Sequence, residues 1–252
     1  MMMARGQFLG LSRHSIYVLF VTVAFASPGF AEEIATPSVH EQDNWAYRET
    51  REVNGVSHQS HQELTVVHAS ASGILVSAHE IGSNLPPKEV LLGADWSRSR
   101  NVNGENKVVN RPFLFPLSMG KSWVVDYKED NPNRAHKSET FHSKYSVVGW
   151  EDVSVPAGTF KALKIESDGQ WTAELAPSAS TVSVARVDGQ GATALAQTNR
   201  VTAQTATGRL YKAFWYVPSV KRYVKAVEEY YSTNAVLSSR NMEELEAFNV
   251  GK

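Results

Sequence analysis

Ser118 and Lys121, in "SMGK", have the Ser-x-x-Lys spacing of the serine enzymes that recognise penicillin. In those enzymes the serine begins a helix, the lysine follows one turn later, and Ser-x-Asn and Lys-Thr-Gly elements accompany them. Here Gly120 precedes the lysine, a strand pattern follows, and the companion motifs are absent from the sequence. The segment is therefore predicted to be a turn at the entry to a strand.

The histidines are the residues most suited to binding a metal ion. His58 and His61 are spaced i, i+3 and could hold zinc from a helix, but a strand would place them on opposite faces. His68 follows, and His136 and His142 lie in similarly polar segments. No third ligand is fixed nearby by the sequence, so we predict no metal site and no cofactor.

Two pairs of adjacent carboxylates could suggest acid–base chemistry: Glu151 with Asp152, and Glu228 with Glu229. Neighbouring residues of a strand point to opposite faces, so neither pair forms a catalytic dyad by itself. The sequence also has no Gly-x-Ser-x-Gly elbow, no phosphate-binding glycine loop and no HExxH helix. We therefore predict no catalytic residues, with a hydrolase built from distant positions as an alternative.

Residues 1–31 have the order of a secretory signal peptide. Arg5 and Arg13 give a basic start, residues 16–26 are apolar, and small residues precede a cleavage point near Ala31–Glu32. The apolar run is too short to span a bilayer in the usual way, and no later run approaches that length. We expect a periplasmic or extracellular protein with no membrane span in its mature chain. An uncleaved N-terminal anchor is the alternative.

Composition narrows the classes of partner. The chain carries 25 Lys and Arg against 26 Asp and Glu, a formal net charge of −1, so nothing favours binding to nucleic acid. Cysteine is absent, which excludes disulfides, thiol catalysis and lipid attachment at a lipobox cysteine. Stability must therefore come from burial and hydrogen bonds.

The dominant pattern is period-two alternation, as in "SWVVDYK" at 122–128, where every second residue is apolar. Turn-forming residues separate such runs every 8–12 residues, at 53–55, 70–73, 82–88, 101–106 and 129–134. This spacing predicts an all-β or β-dominated α+β domain over residues 44–250, after a flexible leader at 32–43. An antiparallel sheet in a single domain is the expected architecture.

Two segments are ambiguous. "FWYVPSVKRYVKAVEEYY" (214–231) fits either a helix from Ser219 or two strands separated by Pro218, and its Val and Tyr content favours strands. "NMEELEAF" (241–248) could be a strand or a short capped helix.

Residues 172–209 contain no aromatic residue. Polar and apolar residues alternate in this segment on both sides of Asp188-Gly189. Disorder is one reading, but Asp-Gly between alternating runs favours a projecting hairpin.

Large aromatic residues are the remaining signal for binding. Burying a tryptophan removes about 150–250 Å² from water, so most of the six tryptophans are expected in the core. The alternative is that some of them line a concave sheet face that accepts a ligand. Trp123, Tyr127, Tyr211 and Trp215 are the residues predicted to form such a lining.

Three segments resemble a broad group of uncharacterised, exported bacterial proteins: "FPLSMGKSW" (115–123), "VVGWEDVSVPAGTFKALKIE" (147–166) and residues 214–231. The resemblance implies a curved antiparallel sheet similar to the half-barrels of periplasmic lipoprotein carriers, and it implies no activity. The sequence departs from that group in its excursion at 172–209.

Together these features predict a non-catalytic exported protein that binds a hydrophobic envelope component or a partner protein on a curved sheet. The alternative is an envelope assembly or structural factor that acts through the hairpin at 172–209.

Overall fold

Nearly all regular structure in this protein is β-strand, as the alternating sequence predicts. The computed structural model describes residues 33–176, 178–187, 193–202 and 204–251, and the predicted signal peptide lies outside them. Within these ranges there is no α-helix, and one 3₁₀ turn spans Pro218–Val220. The strands are β1 (Asn44–Val53), β2 (Val56–Ser70), β3 (Gly73–Glu80), β4 (Lys88–Leu92), β5 (Arg98–Val102), β6 (Glu105–Asn110), β7 (Ser122–Asp130), β8 (His136–Val155), β9 (Gly158–Leu175), β10 (Ser178–Val187), β11 (Thr193–Thr202), β12 (Thr205–Val217), β13 (Arg222–Tyr231) and β14 (Leu237–Asn249).

Ten strands form one curved antiparallel sheet in the order β4-β3-β2-β1-β14-β13-β12-β9-β8-β7. β1 pairs with β14, so the first and last strands of the domain meet in the middle of the sheet. The two edges, β4 and β7, do not pair with each other, so the sheet is open. The predicted fold class, a curved antiparallel sheet in a single domain, is confirmed in its all-β form.

Asn-Gly dipeptides make two of the tight hairpin turns. Asn54 and Gly55 connect β1 to β2 with φ of 49° and 80°, and Asn103 and Gly104 connect β5 to β6 with φ of 53° and 88°. Positive φ at both central residues is what a two-residue hairpin turn requires, and Asn and Gly adopt it at the lowest cost. These turns fix the register of the strands that carry the inner face.

Both ambiguous segments are strands. Residues 214–231 form the end of β12, the 3₁₀ turn and β13, and β12 ends directly before Pro218, which has no N–H to donate to the ladder. Residues 241–248 belong to β14. The β-rich context outweighs the local helical alternative in each case.

The two faces of the sheet have different surroundings. We call "inner" the face that carries Tyr47 on β1, Val76 on β3 and Phe214 on β12, all at most 2% exposed. The segment from Trp96 to Leu117 packs over it, with Trp96 and Phe113 buried. The opposite, outer face carries the alternate residues of the same strands.

Residues 33–43, which belong to the predicted flexible leader at 32–43, contact the domain at several places. Ile34 and Leu117 exchange two backbone hydrogen bonds of 2.8 Å. Asp43 is 2% exposed and accepts hydrogen bonds from the backbone N–H groups of His40 and Gly251 and from Nζ of Lys221. Both ends of the domain are therefore joined to the connection between β12 and β13.

Within residues 172–209, β10 and β11 pair with each other in an antiparallel two-stranded sheet. The predicted Asp188-Gly189 turn lies outside the described residues. Residues on either side belong to the main sheet, since Thr205 of β12 pairs with Glu174 of β9. Whether the pair acts as a projecting hairpin remains a prediction.

Candidate functional site

A cleft of about 510 Å³ lies on the inner face. Seven strands of the main sheet contribute to it, and Trp96 and Pro112 close it from the covering segment. One wall is apolar and is formed by Leu64, Ala78, Val76, Val90 and Leu92 from β2, β3 and β4. The volume is within the range of small-molecule sites, and we call this cavity the first cleft.

Arg222 is a charged residue at the base of the first cleft. It is 7% exposed, and its guanidinium carbon lies 4.7 Å from the ring centre of Trp96 and 4.6 Å from that of Tyr223. Its Nη2 donates a hydrogen bond of 2.7 Å to the Tyr223 hydroxyl, which donates to Glu243. Among the described residues, Nε and Nη1 of Arg222 are buried without an acceptor. The rings hold the cation in place and offset part of its desolvation.

Burial sets the protonation of this cluster. It raises the pKa of Glu243, although Arg222 opposes the shift, and it raises the pKa of Tyr223 well above its ordinary value. The Tyr47 hydroxyl is fully buried, has a raised pKa for the same reason and donates to the backbone oxygen of Tyr223 at 2.7 Å. Both phenols are therefore protonated donors at neutral pH, and they make the base of the cleft rigid.

A second cleft of about 290 Å³ lies beside the first. Tyr127 lines it, stacked on Phe141 at 4.7 Å with Arg100 over its ring. Burial also raises the pKa of Tyr230, on the same lining, to about 12, so its hydroxyl stays protonated at neutral pH. Of the four residues predicted to bind a ligand, Tyr127 is the one that faces a cleft on the inner side.

Trp123 is on the same face of β7 but belongs to the core. It is 7% exposed, stacks on Tyr145 with ring centres 5.5 Å apart, and donates from Nε1 to the backbone oxygen of Arg111 at 2.9 Å. Three of the six tryptophans, Trp45, Trp96 and Trp123, are buried. Any contact between Trp123 and a ligand would require the core to open.

Tyr211 and Trp215 lie on the outer face, since Leu210, Lys212 and Phe214 between and beside them line the inner clefts. The Tyr211 hydroxyl donates to Glu166 at 2.9 Å. Trp215 lies beside Lys164 and Lys225, whose Nζ atoms are 5.3 and 5.7 Å from its ring centre. The structure does not bring Tyr211 or Trp215 together with Tyr127. A binding role for these residues remains a prediction.

The outer face carries a ladder of charges. Its ion pairs include two cross-strand pairs, Arg48–Glu244 at 2.6 Å and Lys225–Glu244 at 3.4 Å, and one pair within β9, Lys164–Glu166 at 2.7 Å. Cross-strand pairs of opposite charge stabilise neighbouring strands modestly and keep this face compatible with water.

Two grooves contain residue types that a hydrolase could use, a histidine together with a hydroxyl residue. One shallow groove contains His136, Glu139 and Ser238, and His136 Nδ1 contacts the Glu139 carboxylate. Another contains His142 and Thr207. In the described part of the chain no hydroxyl hydrogen-bonds either imidazole, so the contact between nucleophile and base that acyl transfer needs is not formed.

One hydroxyl does contact a histidine, outside these grooves. Ser38 Oγ is 3.3 Å from Nε2 of His40, whose Nδ1 lies 3.2 Å from Nζ of Lys221. Because an ammonium can only donate, Nδ1 is the acceptor and the neutral ring carries its proton on Nε2. Nε2 therefore donates to Ser38 and cannot act as its base.

The other segments considered for catalysis or metal binding are a turn before β7 and two histidines of β2. The backbone N–H of Lys121 donates to Ser118 O at 3.1 Å directly before β7, which confirms the strand-entry turn. On β2, His58 pairs with Arg51 and His61 with Arg48, so the two histidines are on opposite faces. No group of three potential metal ligands occurs among the residues that the structure describes. Across the same ranges, no helix is long and apolar enough to cross a membrane.

The predicted separation of the carboxylate pair on β13 is confirmed. Glu228 lines the first cleft and pairs with Lys212 at 3.4 Å, whereas Glu229 accepts a hydrogen bond from Arg240 at 2.5 Å on the outer face.

Comparison with known proteins gives two distant structural matches. No protein-family model matches this chain, and neither does any curated protein. A candidate exported protein with a YmcC-like fold from Bacteroides fragilis is 14% identical, with 86% of this chain and 99% of that chain covered and a TM-score of 0.40. A candidate lipoprotein from Parabacteroides distasonis is 15% identical, with 86% and 100% covered and a TM-score of 0.43.

Sequence reasoning did not select the polar residues of the first cleft. Arg222 and Glu243 are 21 positions apart and meet because β13 pairs with β14, with Ala226 directly opposite Glu243. One signal was available: in a strand, Arg222 alternates with the apolar Val224 and Ala226, and a charge on such a face is rarely buried unless it has a partner.

Proposed function

We propose that this protein is an exported, non-catalytic binding protein that holds a hydrophobic ligand in the first cleft. The observation that carries the proposal is the apolar wall of β2, β3 and β4 facing an open space of about 510 Å³. A purely structural inner face would be filled by its own side chains, because protein interiors pack densely. The sequence supports export through the signal-peptide pattern of residues 1–31.

The wall and the base of the cleft have different tasks in this proposal. Leu64, Val90 and Leu92 provide contact area, at roughly 25 cal/mol per Å² of apolar surface removed from water. Arg222, Tyr47 and Tyr223 keep the base rigid, so that a ligand does not have to order the site as it binds.

The test is titration with a neutral hydrophobic dye, N-phenyl-1-naphthylamine, whose fluorescence rises in an apolar site. Ala78 lines the cleft and Ser77, its neighbour on β3, faces outward. Ala78→Phe fills the cleft and should weaken dye binding at least about tenfold, the loss of about 1.4 kcal/mol. Ser77→Phe adds the same ring to the outer face and should bind the dye like the wild type.

The proposal is wrong if the folded wild-type protein does not bind the dye, or if the two phenylalanine variants bind it equally. Circular dichroism and a melting temperature for each variant show that both are folded when the comparison is made.

A second candidate is an envelope assembly factor that acts through residues 172–209. The observation that favours it is the pairing of β10 and β11 in a sheet of their own, outside the ten-stranded sheet. Under this alternative the first cleft is dispensable, so Ala78→Phe would leave function in cells unchanged and removal of the β10–β11 pair would abolish it.

A further inference from the structure

The second cleft differs from the first in that its charged lining residues are all basic, whereas the first cleft is lined by both basic and acidic residues. Three basic residues line the second cleft, Arg98, Arg100 and Lys212, and no aspartate or glutamate is among its lining residues. Hydroxyl groups complete the polar lining, those of Ser99, Ser143, Tyr127 and Tyr230. Ammonium, guanidinium and hydroxyl groups are all donors to an oxyanion.

Lys212 is the most informative of these residues because it is buried. It is 6% exposed on the inner face of β12, and its Nζ lies 3.4 Å from Oε2 of Glu228. Glu228 is shared, since Nδ2 of Asn110 donates to its Oε1 at 3.3 Å. A buried ammonium held by one long, shared ion pair is incompletely compensated, and an anion in the second cleft would complete its coordination.

The other two basic residues, Arg100 and Arg98, differ in how free they are to bind an anion. Arg100 is paired with Glu129, to which it donates two hydrogen bonds, one of them 2.5 Å long. Arg98 is exposed, and no carboxylate within the described ranges forms an ion pair with it. An anion entering the second cleft therefore meets Arg98 first and Lys212 at depth.

The two clefts are adjacent on the inner face and share a lining residue. Arg98 lines both, and along the inner face of β12 Phe214 lines the first cleft while Lys212 and Leu210 line the second. The contact between Asn110 and Glu228 lies where they meet. A single extended ligand can therefore place an apolar part against β2–β4 and a charged end beside Lys212.

We propose that the second cleft is an oxyanion subsite, so that the ligand is a single-chain amphiphile ending in a carboxylate or a phosphate. This inference rests on the proposed function of the first cleft. Arg98 and Lys212 supply the charge, and the protonated Tyr127 and Tyr230 hydroxyls supply neutral donors. Arg222 lies at the base of the first cleft and holds the aromatic side chains in place.

The first test uses the wild-type protein and three ligands of equal chain length: dodecanol, dodecanoate and dodecyl phosphate. Each ligand is titrated against the bound neutral dye at pH 7 and two salt concentrations, and displacement of the dye gives its affinity. The ionic ligands are kept below their critical micelle concentrations and dodecanol below its solubility limit. A charge-assisted hydrogen bond contributes about 1.5–3 kcal/mol, so at least one anionic ligand should bind about tenfold or more tightly than the alcohol. The preferred head group identifies the oxyanion as carboxylate or phosphate.

The second test removes the charges one at a time. Lys212→Met, at a position that lines the second cleft and not the first, should reduce the preference for the anionic ligand to about threefold or less while dodecanol binding stays within about twofold of wild type. Arg98→Gln, at an exposed position that lines both clefts, should reduce the same preference, measured as the ratio of the two affinities. Lys225→Met is the matched control: its Nζ also lies 3.4 Å from a cross-strand glutamate, Glu244, but on the outer face. That variant should keep the full preference.

The outcomes separate the two proposals. If neither the dye nor dodecanol binds, the proposed function itself fails. If both bind but the anionic ligands bind no more tightly, or if Arg98→Gln and Lys212→Met keep the wild-type preference, the oxyanion subsite is wrong and the first cleft stands alone.

Discussion

At the scale of single residues, Asp43 is where the two ends of the domain and the connection before β13 meet. Gly251 N donates to its Oδ1 at 2.6 Å, and Lys221 Nζ lies 3.0 Å from its Oδ2. Lys221 has a left-handed φ of 62°, and its backbone oxygen accepts a hydrogen bond from Trp96 at 3.0 Å. The ion pair therefore also supports the ring that covers the first cleft.

Replacing Asp43 with alanine should lower the free energy of unfolding by about 3–5 kcal/mol, because it leaves the buried Lys221 ammonium without its partner. Urea denaturation at pH 7 measures this loss. Asp126→Ala is the control: Asp126 contacts His142 at an exposed position, so its loss should be within about 1 kcal/mol of zero. Equal effects of the two substitutions would contradict the role given to Asp43.

The same residue gives a pH dependence of defined sign. Burial raises the pKa of Asp43, but hydrogen bonds from His40, Gly251 and Lys221 more than offset this, so its pKa is lower than usual. A lowered pKa stabilises the fold above the unfolded value of about 3.9, and that stabilisation is lost as the pH falls through the folded value. The stability difference between wild type and Asp43→Ala should therefore shrink below about pH 4, and a difference that grows there would be contrary to this assignment.

At the scale of elements, the sequence shows which residues of a strand share a face but not which face becomes concave. Tyr211 and Trp215 alternate correctly with Lys212 and Phe214, yet these two of the four predicted lining residues are on the outer side. Strand pairing decides this, and it includes a register shift between Trp215 and Tyr216 that no local pattern reveals. Turns were more predictable, because Asn-Gly at 54–55 and 103–104 specifies both backbone conformation and loop length.

The β10–β11 pair provides a test at this scale. The backbone N–H of Leu175 donates to Gln204 O at 2.8 Å, so the chain enters and leaves this excursion at neighbouring points. Replacing residues 177–203 with Asn-Gly should change the free energy of unfolding by no more than about 1 kcal/mol and leave dye binding within twofold, since a shorter loop costs less closure entropy. Urea titration and the dye assay measure both.

If the deletion variant does not fold, or folds but does not bind the dye, the excursion is instead part of the binding domain. The full-length wild-type protein, expressed from the same plasmid, serves as the control for expression.

At the scale of the whole molecule, the sequence predicted an open, curved, cysteine-free sheet, and the structure has one. Strand periodicity and turn residues were enough to predict the antiparallel sheet, because both are properties of short segments, and the resemblance to exported bacterial proteins implied its curvature. The clefts could not be predicted from short segments. The first joins residues as distant in the sequence as Tyr47 and Glu243, and the second joins Arg98 to Lys212. Such contacts depend on the order of strands in the sheet, above all on the pairing of β1 with β14.

The most direct measurement is photolabelling of the folded protein with a long-chain alcohol that carries a diazirine in its chain, followed by mass spectrometry of the peptides. Binding in the first cleft predicts saturable label on β2, β3 and β4, at residues such as Leu64, Val90 and Leu92, and loss of that label in Ala78→Phe. Label concentrated on the outer face around Tyr211 and Trp215, or label that does not saturate, would contradict the account.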